Sequence, residues 1–580
     1  MTRIVSDPDT FVAEALDGLV LAHSQELRRV EGGVARRSSL APGQVAVVVG
    51  GGSGHYPAFA GIVGVGMPAA AVCGNIFSSP SAGQAVRVAH AVEAGGGVLF
   101  SYGNYAGDVI HFGEAERRLR DEGLDVRTVL VTDDIASAPP TEAAQRRGIA
   151  GDLCVFRIAG AAAERGDSLD AVERLARHAN DRTRTIGVAV SGCTVPGASE
   201  PLFEVPEGMM SIGLGIHGEP GIRDIPVQSA PELARTLLEP LLAERPQGAE
   251  SRVALLVNGL GTVKYEELFV LFGHLHRELE QAGIAVTSPL CGELVTSLDM
   301  GGVSVTLLWL DDELEELWDA PAASPAFRRG AVVDAKKPDD AERPDPIAVD
   351  AVIEPREASA SSRRAAETAR DLLSLARGAV VAQADSLGAL DAIAGDGDHG
   401  IGMSRGLAAA VAAASSLPDG AGLSTLLAAA GEAWSETAGG TSGALWGAAL
   451  TEFGRVADSA GAQSGEAVAA AVTAARERIA QLGGAEAGDK TMLDALLPFD
   501  VALRSAIAEG APVATALRQA ASAASGAAQE TASLRPRKGR ARPLAEKSLG
   551  HPDPGAVSFA LIVETLADWA DADEHTEEQR

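Results

Sequence analysis

The sequence predicts a multidomain chain, an α/β N-terminal part joined to an all-α C-terminal part. Three observations carry this expectation. At 580 residues the chain is longer than one hydrophobic core usually serves, so two or more domains are expected. Up to residue 330 or so, strand-like runs alternate with helical patterns, the mark of α/β layering. From Ser361 onward the pattern is helical almost throughout, without strand alternation. Between the two, Asp334–Pro355 has little periodicity and carries Lys336-Lys337-Pro338 and Arg343-Pro344-Asp345-Pro346, which reads as a linker. The expected boundaries are 1–333, a linker at 334–360, and 361–572.

The elements follow in order. Val45–Val49 is a buried-strand candidate that runs into Gly50-Gly51-Gly52-Ser53-Gly54-His55. Further β-type runs are Gly97–Tyr102, Val126–Val131, Ile186–Val190, Val253–Val257 and Val303–Leu310, with helical patterns such as Thr141–Arg147 and Ser168–Asn180 between them. In the second part the helical candidates are Ala365–Gln383, Ser404–Ser415, Leu423–Thr437, Gly465–Leu482, Met492–Glu509, Pro512–Thr531 and Gly555–Ala570. Breaks rich in Gly, Ser, Thr and Asp separate them.

Composition excludes several classes. A hydrophobic fraction of 46% and a charged fraction of 22% are ordinary for globular protein. No apolar run reaches the ~18 residues of a membrane span. The opening residues lack a signal-peptide core, so a cytoplasmic protein is expected. Cys73, Cys154, Cys193 and Cys291 are far apart without CxxC spacing and read as reduced thiols. A net charge of −31 argues against nucleic-acid binding, which wants a basic face. Aromatics make up only 4%, so helix packing is expected to rely on small residues.

The most informative segment is Leu390–Gly400, where Asp391, Asp396 and Asp398 fall within eight residues. Carboxylates crowded this closely repel one another unless cations sit among them. Hard oxygen ligands suit Mg²⁺, which keeps coordination sites open for phosphate oxygens. A solvated helix-capping loop, with Asp398 as the cap, is the other reading. Three more polar helix starts accompany it: Gly439-Gly440-Thr441-Ser442-Gly443, Gly488-Asp489-Lys490-Thr491-Met492 and Gly550-His551-Pro552-Asp553-Pro554-Gly555. Such starts offer N–H groups and hydroxyls to phosphates, or are plain helix N-termini. The basic run Arg535–Arg542 is either a charge-neutralising loop beside phosphate or a solvated loop. Neither the P-loop pattern nor the protein-kinase signature is present.

In the first part, Gly50–His55 follows a strand directly, where open α/β sheets bind ligands, although a tight structural turn fits as well. His217 lies among glycines in Gly213–Gly221, without an apolar stripe to bury it, and is a candidate base, nucleophile or metal ligand. Asp108 follows another strand in Gly103–Asp108 and is a candidate base for a hydroxyl proton.

Taken together, these motifs resemble the single-chain, ATP-dependent dihydroxyacetone kinases over nearly the whole length, in the branch that includes erythrulose kinases. The motifs are GGGSGH (50–55), CGNIFSSPS (73–81), NYAGD (104–108), GLGIHGEPG (213–221), DAIAGDGDHG (391–400), GGTSGALWG (439–447), GDKTMLD (488–494) and GHPDPGA (550–556). The resemblance implies an N-terminal ketose-binding K domain of two subdomains and a C-terminal eight-helix barrel, the L domain, that binds ATP and Mg²⁺. It further implies that His217 forms a hemiaminal with the ketone, that His55 and Asp108 assist, and that Gly52, Ser53 and Gly54 line the pocket. Asp391, Asp396 and Asp398 match ligands of two Mg²⁺ ions. His399, Gly400, Thr441, Ser442, Thr491, Arg540, Asp553, Pro554 and Gly555 match the nucleotide site.

The implied activity is phosphorylation of a terminal hydroxyl of a short ketose, erythrulose ahead of dihydroxyacetone, by ATP in a homodimer. Relatives driven by a phosphoprotein keep the two parts on separate chains, so the fusion favours exchangeable ATP. Three positions depart from the commonest pattern: Tyr56 stands for Glu, Gly103 for Lys, and Ile401-Gly402 for Thr-Asn. Loss of the long cation at Gly103 opens space for a larger substrate. Two rival functions are a non-catalytic ketose-sensing regulator and an FAD-cleaving cyclase-type lyase.

Overall fold

The computed structural model describes residues 4–219, 221–331, 358–395, 397–461, 464–539 and 542–578; of 543 and 573–578 it describes only the backbone. Most of the expected linker lies outside these residues. The chain divides into two compact units, Met1–Ala348 and Val349–Arg580.

Besides a two-stranded pair, Ala322–Ala323 with Arg328–Arg329, the first unit holds two large sheets, which accounts for its two subdomains. One has the strand order Leu27–Val30, Gly33–Arg36, Ala70–Ile76, Ala46–Ser53, Val98–Gly103, Val126–Val131. Its last four strands run parallel, and Ala46–Ser53 lies between two parallel neighbours. A strand covered on both faces should be apolar throughout, as Ala46–Val49 is. The second sheet runs Ala285–Val286, Arg252–Gly259, Gly301–Trp309, Thr183–Ser191, Met209–Ile212, Arg223–Pro226 and is antiparallel over its last five strands. Helices Ala230–Ala243 and Tyr265–Gln281 bury their leucines against it.

Two local expectations change. Gly50–Ser53 does not form a loop but continues the strand. The glycines answer to close packing: a Cβ at Gly52 would lie 2.7 Å from the Ser78 nitrogen, and one at Gly51 would lie 2.7 Å from the Phe59 ring. Thr141–Arg147 is not an α-helix but a short 3₁₀ segment, Pro140–Gln145, where Pro139 and Pro140 remove two backbone donors.

The second unit is a ring of helices. Ala360–Ala382, His399–Ser416, Leu423–Ala438, Gly440–Ser459, Gly465–Gly483, Leu493–Ala508, Val513–Glu530 and Pro554–Glu578 each pack on the next, and the last packs on the first. This closed circuit is the expected eight-helix barrel. Neighbours are antiparallel: Gly402 lies beside Ala438, and Gly406 beside Trp434. Small residues permit the approach, since a Cβ at Gly431 would sit 2.5 Å from the Gly447 oxygen. Trp434 and Trp446 stack inside, with centroids 5.1 Å apart. The up-and-down order brings the breaks at 391–399, 438–440, 483–493 and 530–554 to one end of the ring.

Candidate active site

In the first unit the two histidines singled out in the sequence meet. His55 Nε2 lies 3.0 Å from His217 Nε2. Each ring is gripped from behind. His55 Nδ1–H donates to the Thr296 carbonyl at 2.8 Å, and His217 Nδ1–H donates to Glu219 Oε1 at 3.0 Å. Both acceptors only accept, which places the Nδ1 protons. Glu219 Oε2 also accepts the backbone N–H of His217 at 3.0 Å. Arg147 stands 3.7 Å from Oε2 and pairs with Asp134 at 2.8 Å.

Aromatic rings wall the pair. Phe77 stacks on His55 at 5.0 Å, and Tyr105 meets His217 edge-on at 4.7 Å. Phe77 holds φ at +52°, and a Cβ at Gly54, itself at φ +105°, would lie 2.8 Å from its ring. Tyr105 immediately precedes helix Ala106–Asp121, whose first turn carries the buried Asp108, so Asp108 belongs to the same corner. Ser53 Oγ donates to the Gly74 carbonyl at 2.7 Å, tying the strand end to its neighbour. Gly52, Ser53 and Gly54 thus form the edge from which His55 projects.

Burial, and next the neighbouring His217, pushes His55 down to about 3, so the ring is neutral. Burial raises Glu219, but His217 and Arg147 outweigh it and hold the carboxyl well below the usual range. Burial lifts Asp134 to about 6 despite Arg147. A neutral His55 ring facing an imidazole gripped by an ionised carboxylate suits attack on a carbonyl carbon.

In the second unit the polar breaks gather at one end of the ring. Asp391 ends helix Ala384–Asp391, and its Oδ2 accepts the Gly397 N–H at 2.9 Å. Asp398 precedes helix His399–Ser416. Burial raises Asp398 to about 6, with Asp391 adding to the rise. His399 Nε2 and Ser558 Oγ are 2.9 Å apart, and a Cβ at Gly400 would meet the Ala384 oxygen at 1.9 Å. Burial, then Asp494 and Asp391 against Lys490, lifts Asp553 to about 7. Asp553 Oδ1 accepts the Ala556 N–H at 2.8 Å, with Pro554 and Gly555 in that first helical turn.

Thr491 Oγ1 accepts the Leu493 N–H at 3.2 Å, and Asp494 accepts the Thr491 N–H at 2.7 Å. Lys490 Nζ donates to the Ser548 carbonyl at 2.6 Å. Thr441 and Ser442 lie in the first turn of Gly440–Ser459 and not in a preceding loop; that turn follows Ala438, the neighbour of Gly402. Asp396 and Arg540 lie outside the described residues. The basic segment is anchored nearby, since the Arg537 N–H donates to the Asp489 carbonyl at 3.0 Å.

Mutually repelling carboxylates fit a divalent cation, whose charge would offset them. Among the described residues no three His, Cys, Asp or Glu side chains are close enough to hold an ion. Glu219, Arg147, Thr296 and Tyr105 were not given roles from sequence. Glu219 alone left a local signal, two residues from His217.

Residues 17–326 match the Dak1 domain, and residues 393–568 match the DAK2 domain. The chain belongs to the dihydroxyacetone kinase family. It is 51% identical over 573 residues to an L-erythrulose 1-kinase of Mycolicibacterium smegmatis, covering 98% of this chain and 99% of that one. It is 50% identical over 572 residues to a D-erythrulose kinase of the same species, covering 98% of each. Among solved structures it resembles the dihydroxyacetone kinase of C. freundii in complex with AMP-PNP and Mg²⁺, at TM-score 0.52 and 31% identity, covering 98% of this chain and 99% of that chain. The motifs that carry the dihydroxyacetone kinase resemblance lie at the imidazole pair and at the polar end of the helical ring.

Proposed function

We propose that the chain is an ATP-dependent kinase that phosphorylates a terminal hydroxyl of erythrulose, with dihydroxyacetone as a smaller alternative. The carrying observation is the Nε2-to-Nε2 approach of His55 and His217 at 3.0 Å. Two lone pairs at that distance repel, so the gap holds one proton. The His217 lone pair forms a bond to the ketone carbon as that proton passes to His55. The carbonyl π pair moves to oxygen, which takes the proton back from His55. The product is a hemiaminal on a cationic His217 ring.

A carbonyl captured in this way distinguishes a ketose from a polyol of the same size. Asp108 accepts the proton of the terminal hydroxyl as its oxygen attacks the γ-phosphorus of ATP, and ADP leaves. Asp391 and Asp398, with Asp396, would hold two Mg²⁺ ions, which supply charge neutralisation on the phosphate oxygens when bound. His399, Gly400, Thr441, Ser442, Thr491, Asp553, Pro554 and Gly555, with Arg540, form the nucleotide site. Close likeness to L- and D-erythrulose kinases supports the four-carbon substrate. Gly103 leaves no open space at its own position, since Tyr105 and Gly148 pack against it, and it bears on substrate size only through Tyr105. The working form is a cytoplasmic homodimer.

The test is a substrate panel of dihydroxyacetone, L-erythrulose and D-erythrulose with ATP and Mg²⁺, run on the full chain and on His217→Ala. Turnover highest on an erythrulose, and lost in His217→Ala, is expected. Wild-type-like turnover in the variant would refute the covalent role.

A further inference from the structure

We infer that Glu219 is the positioning residue of the carbonyl-capturing imidazole: its ionised carboxylate fixes the His217 tautomer and neutralises the ring once the ketose is bound. This rests on the covalent reading above and concerns a residue outside the reacting atoms.

The geometry is a two-point grip. One carboxylate oxygen takes Nδ1–H at 3.0 Å, and the other takes the backbone N–H of the same histidine at 3.0 Å. The ring therefore cannot turn over without giving up the first bond, and Nε2 is the nitrogen left facing His55 and the pocket. Tyr105 and Phe77 meet the same ring edge-on, at 4.7 and 5.2 Å, and hold its plane. Behind the carboxylate, Arg147 bridges Glu219 and Asp134 at 3.7 and 2.8 Å.

The loop is shaped around this pair. A Cβ at Gly215 would fall 2.1 Å from Glu219 Oε2 and 2.6 Å from Arg147 Nη1. The Gly215 N–H in turn donates to the Glu219 carbonyl at 3.0 Å and closes the turn. The consequence is electrostatic. Bond formation turns His217 into an N-substituted imidazolium that keeps its Nδ1–H. In the free pair the extra proton is shared between the two rings, whereas in the adduct the whole charge rests on His217, so a carboxylate aimed at Nδ1–H stabilises the adduct more than the free pair.

The test uses the full chain with ketose labelled with ¹³C at the carbonyl carbon, without nucleotide, and adduct occupancy read by ¹³C NMR. Steady-state KM for ketose and for ATP is read alongside. Glu219→Gln keeps the shape but removes the charge and turns an amide donor toward the His217 N–H. Its adduct occupancy should fall, and its ketose KM should rise about 10- to 100-fold, the worth of a charge-assisted hydrogen bond, with the KM for ATP unchanged. Glu219→Asp should recover part of the loss. Gly215→Ala, which keeps the carboxylate but displaces it from Nδ1–H, should give the same ketose-specific defect.

Wild-type adduct occupancy and ketose KM in Glu219→Gln would overturn the inference, as would an equal rise in both KM values. A wild-type protein that forms no adduct would instead overturn the covalent reading itself.

Discussion

His55 and His217 face each other through Nε2 atoms 3.0 Å apart, yet they are anchored by opposite kinds of acceptor. A neutral carbonyl holds the first ring, and an ionised carboxylate holds the second. Two chemically identical side chains are thereby given different tasks. In the proposed reaction the ring on Glu219 carries positive charge, and the ring on Thr296 passes a proton.

That asymmetry predicts an acid-stability effect. The folded His55 titrates at about 3, below its unfolded value of 6.5. The unfolded chain therefore binds the extra proton first as pH falls. The stabilisation from a neutral His55 is complete above pH 6.5 and is lost progressively toward pH 3. His55→Gln should flatten this part of a pH-dependent urea-unfolding series; an unchanged slope would contradict the buried neutral ring.

Asp108 stands in the first turn of its helix, next to Tyr105. Asp108→Asn should lower kcat by about 10²- to 10⁴-fold while ketose capture persists. Single-turnover phosphoryl transfer, compared with adduct occupancy by NMR, separates the two steps. A parallel loss of both would assign Asp108 to binding instead of proton transfer.

Gly103 packs under the Tyr105 ring, where a Cβ would lie 3.1 Å from Cε2 and 3.2 Å from the Gly148 oxygen. Gly103→Lys should therefore push Tyr105 toward His217 and narrow the pocket. Overpacking of this kind costs about 1–3 kcal/mol. The ratio of kcat/KM for erythrulose to that for dihydroxyacetone should drop roughly tenfold; an unchanged ratio would remove Gly103 from substrate choice.

On the helical side, Asp391→Asn should weaken Mg²⁺-dependent ATP binding by at least the roughly 10- to 100-fold that losing even an outer hydrogen-bond partner costs a metal site. Calorimetry with ATP and Mg²⁺ measures this directly. Adduct formation with ketose alone should be untouched, because the imidazole pair lies within the other unit.

Much of this was legible from the chain because it is local. The two histidines, Asp108 and the Asp391–Asp398 run sit in glycine-rich breaks, where composition itself signals an exception to packing. Seven of the ring's helices follow from their periodicity, but the eighth, Gly440–Ser459, shows only as a polar helix start, and closure into a ring is implied by the family resemblance alone. What was not legible depends on distant partners. Thr296 reaches His55 across 241 positions of chain. Arg147 and Asp134 reach Glu219 from another segment, with no pattern linking them. The glycines at 50–52 look like a turn in isolation, but Val72, Phe59 and Ser78 occupy the space their side chains would need. Tertiary crowding there overrides the usual meaning of consecutive glycines.

The circular helix packing has a consequence for how the nucleotide-binding unit tolerates rearrangement. Helix Pro554–Glu578 returns to the side of Ala360–Ala382, and Ser362 touches the turn at Leu423, at the end opposite the acidic residues. The first and last helices of the ring therefore have neighbouring outer ends, opposite Asp391 and Asp398. A version rewired by a short tether between them, and reopened near Pro418 or Pro512, would preserve the corners that carry Asp391, Asp398 and Asp553 while altering only the order of synthesis.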